Sequence, residues 1–179
     1  MRVCVSQNLE YHPLQPSTTP FFNFKRADSD LDGIIILSEE EYAKKEKNNA
    51  TAETIDGLCT YEGGYFDIKY MTKQYLKDLA SKGSEPARNS FMKARILFCN
   101  DAEIEDILPL IPVFQKAEKE EKLLSFYSNF WLNYHYFLKS CPIDGYMKIH
   151  TIAEIIYSIY RLILQENEIL FDCNRRLEQ

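Results

Sequence analysis

The segments LLSFYSNFWLNYHYFLK (123–139) and IHTIAEIIYSIYRLILQENEILF (149–171), joined by SCPIDGYMK (140–148), decide the fold of this chain. In the second segment Ile152, Ile155, Ile156, Ile159, Tyr160, Ile163 and Leu164 recur at steps of three and four, the spacing of a helix with a buried face. Its polar residues, Glu154, Ser158, Arg161, Gln165 and Glu168, fall on one narrow stripe. A helix apolar nearly all round reads as a core helix, with the isoleucines inward and the stripe toward water. The β-branched residues argue weakly against helix, but nothing in the run alternates as a strand would.

In the first segment Leu123, Tyr127, Phe130, Tyr134 and Phe137 make one apolar stripe, and Leu124, Trp131 and Leu138 a second. Two stripes imply two neighbours. Cys141, Pro142 and Gly145 mark a short connection, which favours antiparallel packing of the two helices. A membrane crossing takes about 20 apolar residues. The purest run, 152–164, is shorter and contains Glu154 and Arg161, so no membrane partner is expected.

Toward the N-terminus the pattern becomes mixed. Asp101 starts a short helix bearing Ile104, Ile107 and Leu108, broken at Pro109 and Pro112. Ser84 precedes EPARNSFMKARILF, read as a helix whose tail ARILF fits a strand equally well. From Thr72, Tyr75, Leu76 and Leu79 form a helical face that Gly83 ends. LCTYEGGYFDIKYM reads as a hairpin turning at Gly63 and Gly64, after a loop NNATAET. Ser38 with Glu41 is a capping box that opens a helix through about Lys47. RVCV (2–5) reads as a strand, HPLQPSTTP as irregular, and FFNFKRA as either a strand or a short helix. The economical reading is one α+β domain over 1–179. A small N-terminal antiparallel sheet (1–70) packs on a mostly helical half (71–179) with a central hydrophobic helix.

Composition narrows the function classes. The 179 residues carry a net charge of −6 and a pI near 5.2, which disfavours a nucleic-acid phosphate backbone as partner. Five widely spaced cysteines without CxxC read as reduced thiols, and the N-terminus lacks a signal-peptide apolar run. A cytoplasmic protein is expected.

Asp28, Asp30, Asp32, Gly33, Ile35 and Glu39 match the skeleton of an EF-hand loop. Three carboxylates, the carbonyl of Ile34 and a bidentate Glu39 would surround a calcium ion, with Gly33 at the sharp turn. Leu31, Ile36 and Glu40 are poor residues for that loop. The competing reading is a turn DSDLDG, a buried strand IIIL and a helix capped at Ser38; it accounts for Leu37 and Ser38 and takes precedence.

Nothing nominates a catalytic centre. His12, His135 and His150 have no HExxH context, a Cys141–His150 pair lacks an oxyanion site, and no phosphate-binding glycine loop occurs. Lys69, Lys73 and Lys77, four apart, suggest a basic helical face. Acidic charge gathers at Asp101, Glu103, Glu105 and Asp106 and at Glu118, Glu120 and Glu121. These seven are the expected contact for a basic protein. The expected function is therefore non-enzymatic binding of a macromolecule, of inhibitor, immunity or adaptor type, without a cofactor. The alternatives are calcium binding at 28–39 and an enzyme whose site is assembled from scattered side chains.

Overall fold

The apolar run Ile34–Leu37 lies in the middle of a five-stranded sheet of order β3-β4-β2-β1-β5. The computed structural model describes residues 3–6, 31–57 and 64–174. Its strands are β1 (Val3–Ser6), β2 (Leu31–Leu37), β3 (Ala52–Asp56), β4 (Tyr65–Thr72) and β5 (Arg95–Phe98). The helices are α1 (Glu39–Lys47), α2 (Lys73–Lys82), α3 (Glu85–Asn89), α4 (Ala102–Ile107), α5 (Lys119–Trp131) and α6 (Gly145–Glu166). A wider π-helical stretch, Leu132–Leu138, continues α5. The class is α+β, as the sequence predicts.

The sheet is mixed, not purely antiparallel: β2 runs parallel to β4, while β1–β2, β1–β5 and β3–β4 are antiparallel. The second arm of the expected hairpin is β4, paired antiparallel with an earlier segment; the expected first arm, 58–62, lies outside the described residues. That earlier segment is Ala52–Asp56, within and just after the stretch read as a loop, and Gly57 leaves it at φ +77°. ARILF supplies the strand β5. FFNFKRA and Gly63 lie outside the described residues.

By contact the chain divides into two compact units. The sheet unit comprises Met1–Gly83 with Ser90–Pro112, and the helical unit Ser84–Asn89 with Val113–Gln179. Strand β4 ends at Thr72, and α2, α4 and β5 belong with the sheet.

The sheet unit has a conventional core. Ile34, Ile36 and Ile68 from the sheet, Leu76 and Leu79 from α2, and Ile104, Ile107, Leu108 and Ile111 from α4 onward are all buried. Each such side chain contributes roughly 1.5–3 kcal/mol. The helix ends are built as the sequence predicts. Ser38 Oγ accepts from Glu41 N at 3.3 Å, Thr72 Oγ1 from Tyr75 N at 3.1 Å, and Asp101 Oδ1 from Glu103 N at 3.1 Å. At Gly83 a Cβ would sit 2.5 Å from Leu79 O, which is why α2 stops at a glycine.

The helical unit inverts the sequence reading. In α6 the buried residues are Thr151, Ser158, Arg161 and Gln165. Ile152, Ile156, Ile159, Tyr160 and Ile163 are exposed, and Ile155 is half-buried. The polar stripe faces in and the isoleucine stripe faces out. The physical reason is that the stripe finds its hydrogen-bond partners, Glu85 and Asn129, inside the unit.

Candidate functional site

Glu85, on the short helix α3, stands at the centre of the helical unit and is 5% exposed. Its two oxygens accept four hydrogen bonds: from Lys122 Nζ at 2.9 Å, Arg161 Nη2 at 3.0 Å, Gln165 Nε2 at 2.8 Å and Phe171 N at 3.1 Å. A carboxylate taken out of water needs such a shell, because an unpaired buried charge costs several kcal/mol. Burial alone pushes the Glu85 carboxyl up. The Lys122 hydrogen bond, the Phe171 amide and the Arg161 charge outweigh it, so the group is held below the ordinary carboxylate range. Lys122 is likewise opposed by burial, yet its bonds to Glu118 and Glu85 hold it above its ordinary value.

Arg161 is enclosed by aromatic rings. Its guanidinium carbon lies 4.5 Å from the Phe126 ring centre, 4.2 Å from Phe171 and 5.8 Å from Tyr157, and Nη1 donates to the Tyr157 hydroxyl at 3.2 Å. Planar guanidinium groups stack on such faces, and desolvation strengthens the attraction. Among the described residues Arg161 Nε and Gln165 Oε1 have no hydrogen-bond partner. One turn or more away, Asn129 Nδ2 donates to Glu154 at 3.0 Å and to Ser158 at 2.9 Å, and Asn133 donates back to Asn129. Asn89 Nδ2 donates to Leu170 O at 3.0 Å, and buried Arg88 to Val113 O at 3.2 Å. Residues 84–89 are thus bonded into the helical unit through polar atoms. Sequence reading missed Glu85 altogether. The inward stripe of α6 was visible, but its partner lies 76 residues away from Arg161.

The outer surface of α5 carries Leu124, Tyr127 and Trp131, which are 67%, 53% and 49% exposed, with Glu120 and Glu121 beside them. Steps of three and four place Glu120, Leu124, Tyr127 and Trp131 on one stripe. His135 stacks on Trp131 with ring centres 5.0 Å apart and meets Tyr134 edge-on. His150 stacks on Tyr146. Both histidines are exposed and sit against rings.

The predicted acidic contact divides between the units. Asp101, Glu103, Glu105 and Asp106 lie in the sheet unit, and Glu118, Glu120 and Glu121 in the helical unit. Lys73 bridges Asp101 at 3.1 Å and Glu103 at 2.6 Å, and Lys77 also pairs with Glu103. The lysines and acids read as two separate faces are therefore largely partners of each other. Lys69 is not on that helix; it lies in β4 beside Asp32 and Asp67. Glu118 pairs with Lys122 at 2.8 Å. Among the described residues Glu105, Asp106, Glu120 and Glu121 make no ion pair.

Glu103 is drawn down to about 2 by its hydrogen bonds from Lys73 and then Lys77. A lowered carboxylate keeps its pairs above that value and loses them as pH falls through it. We expect the Glu103 side-chain resonance, followed by NMR, to titrate near pH 2. A midpoint at the ordinary 4.5 would mean the two lysines do not hold it.

The residues of the expected calcium loop that the structure describes lie in a strand and at a helix start. Residues Leu31–Leu37 are extended in β2, with Ile34 buried between neighbouring strands and Asp32 paired with Lys69 at 3.6 Å. Asp32 lies near the start of the strand, which then runs extended at about 3.3 Å per residue to Leu37, and Glu39 follows beyond its end. Glu39 opens α1. Gly33 makes no sharp turn; it faces Ile68, where a Cβ would meet Ile68 Cδ1 at 2.7 Å. Asp28 and Asp30 lie outside the described residues.

An open cleft of about 350 Å³ lies between α1 and the sheet, lined by Ile35, Leu37, Glu41, Lys44, Lys45, Asn48 and Tyr70. Lys45 stands over the Tyr70 ring at 3.8 Å, and the Tyr70 hydroxyl donates to Glu53. Among the described residues no helix is long and apolar enough to cross a membrane. No protein-family model and no curated protein matches the chain.

Proposed function

We propose that this protein acts by binding a basic protein, as an inhibitor, immunity protein or adaptor does, and that it is not an enzyme. The observation that carries the reading is the α5 stripe of Leu124, Tyr127 and Trp131 bordered by Glu120 and Glu121, which make no ion pair among the described residues. Tyrosine and tryptophan dominate binding energy at interfaces, and rim charges set encounter rate and partner sign. An exposed tryptophan with a carboxylate border suits a partner surface carrying lysine or arginine around an apolar recess. The net charge of −6 steers such a partner from a distance.

The test is affinity capture from the native cell with the full chain, read at low and high salt, beside Trp131→Ala and Glu120→Lys with Glu121→Lys. A basic protein whose capture weakens at least tenfold in each variant and in salt is the expected result. Capture that ignores salt and both variants would remove the α5 stripe from the function.

A further inference from the structure

The outward face of α6 has a stricter pattern than exposure alone requires. Ile149, Ile156 and Ile163 are seven apart, and Ile152 and Ile159 are seven apart and offset from them by three. This is the a and d spacing of a helix that packs against another helix. The residues that meet α5 and α3 are Glu154, Tyr157, Ser158, Arg161 and Gln165, so the isoleucine seam points away from the unit's own interior. Ile149, Ile152, Ile156, Ile159, Tyr160 and Ile163 are between 38% and 71% exposed. No charged residue interrupts the seam between Lys148 and Glu166, which rules out the acidic chemistry proposed for α5.

From the geometry we infer that a second copy of this chain covers the face, through an antiparallel α6–α6 pair. Two properties select that occupant. The first is area. At roughly 200 Å² for a fully exposed large side chain, the six residues uncover on the order of 600 Å² per copy. That is at the upper limit of patches that monomers leave open. With the flanking Tyr146 and Met147, both exposed, it approaches the roughly 800 Å² per partner of a standard interface. The second is self-complementary charge. Lys148 and Glu166 end the seam with opposite signs, and neither makes an ion pair among the described residues. An antiparallel pair with its twofold axis near residues 157–158 sets Ile152 against Ile163 and Ile156 against Ile159. The same register brings Lys148 of each copy beside Glu166 of the other. A membrane surface would satisfy the apolar seam but not this charge pairing, and an anionic one would repel a chain of net charge −6. The α6 seam is distinct from the α5 stripe, and its use does not depend on the partner proposed above.

The experiment is sedimentation equilibrium of the full chain over micromolar concentrations. A mass of twice 21.0 kDa is expected, against the single-chain mass for Ile156→Glu with Ile159→Glu. Circular dichroism should be unchanged in that variant, because both side chains are already exposed. Lys148→Glu should weaken the dimer about tenfold, and Lys148→Glu with Glu166→Lys should restore it. That rescue requires the antiparallel register and would not follow from unspecific adhesion of apolar surfaces. A wild-type monomer at 100 µM, a dimer indifferent to the isoleucine pair, or a monomer that instead floats with zwitterionic phosphatidylcholine vesicles would each overturn the inference.

Discussion

Replacing Glu85 by alanine is expected to lower the unfolding free energy of the full chain by about 3–5 kcal/mol. The carboxylate accepts four hydrogen bonds, and its removal leaves Arg161 and Gln165, both buried, without their shared acceptor. Lys122 suffers less: its side chain is 27% exposed and turns to water. Urea unfolding followed by circular dichroism measures the effect, and a loss under 1 kcal/mol would show that the cluster is solvated in solution. A second variant separates charge from packing. Glu85→Leu with Arg161→Met and Gln165→Leu removes the ions together, a change that is often neutral or stabilising in buried sites. It should recover all but the roughly 1–3 kcal/mol of the orphaned Phe171 amide. If the triple variant is no better than Glu85→Ala, the cost lies in lost volume rather than in unpaired charge.

The same carboxylate makes the helical unit acid-sensitive. Glu85 is held below its ordinary 4.5 when folded, so the unfolded chain binds more protons between the two values. Its contribution is fully present above the unfolded value and is lost as pH falls through the folded one. Wild-type stability should therefore decline below about pH 4.5 more steeply than that of the triple variant.

How much of this was legible depended on whether the partner of a pattern was near in sequence. Ser38 with Glu41, Thr72 with Tyr75 and Asp101 with Glu103 are caps closed within three residues, and the structure places all three as the sequence predicts. The buried run Ile34–Leu37 announced a central strand, yet nothing local declared that its neighbour on one side would be parallel. Helical periodicity in α6 found the polar stripe at the right angle, because spacing fixes where a stripe lies. It does not fix which side faces in. That sign was set by Glu85 and Asn129, which supply acceptors and donors from other segments. The lysines at 73 and 77 and the acid at Glu103 illustrate the converse. Each looked like a free surface until the fold set α2 beside α4. The aromatic stripe of α5 was read as core and now supports the binding proposal, since composition cannot tell a buried ring from an exposed one.

In the sheet unit the largest single loss should come from Leu76→Ala, about 2–5 kcal/mol. Leu76 is fully buried on α2, in the same core as Ile104, Ile107 and Ile111. Truncation removes its transfer energy and leaves a cavity that rigid strands on one side resist filling. The neighbouring position provides the internal control. Lys77, the next residue along α2, is 41% exposed at its side chain and pairs with Glu103. Surface pairs of this kind contribute little, so Lys77→Ala should shift the urea midpoint within error. Both substitutions leave the helical face of α2 intact, because alanine is the strongest helix former. A difference between them therefore measures burial alone. Equal midpoints for the two variants would mean that α2 does not pack on the sheet through Leu76, and the core of this unit would have to be drawn around different side chains.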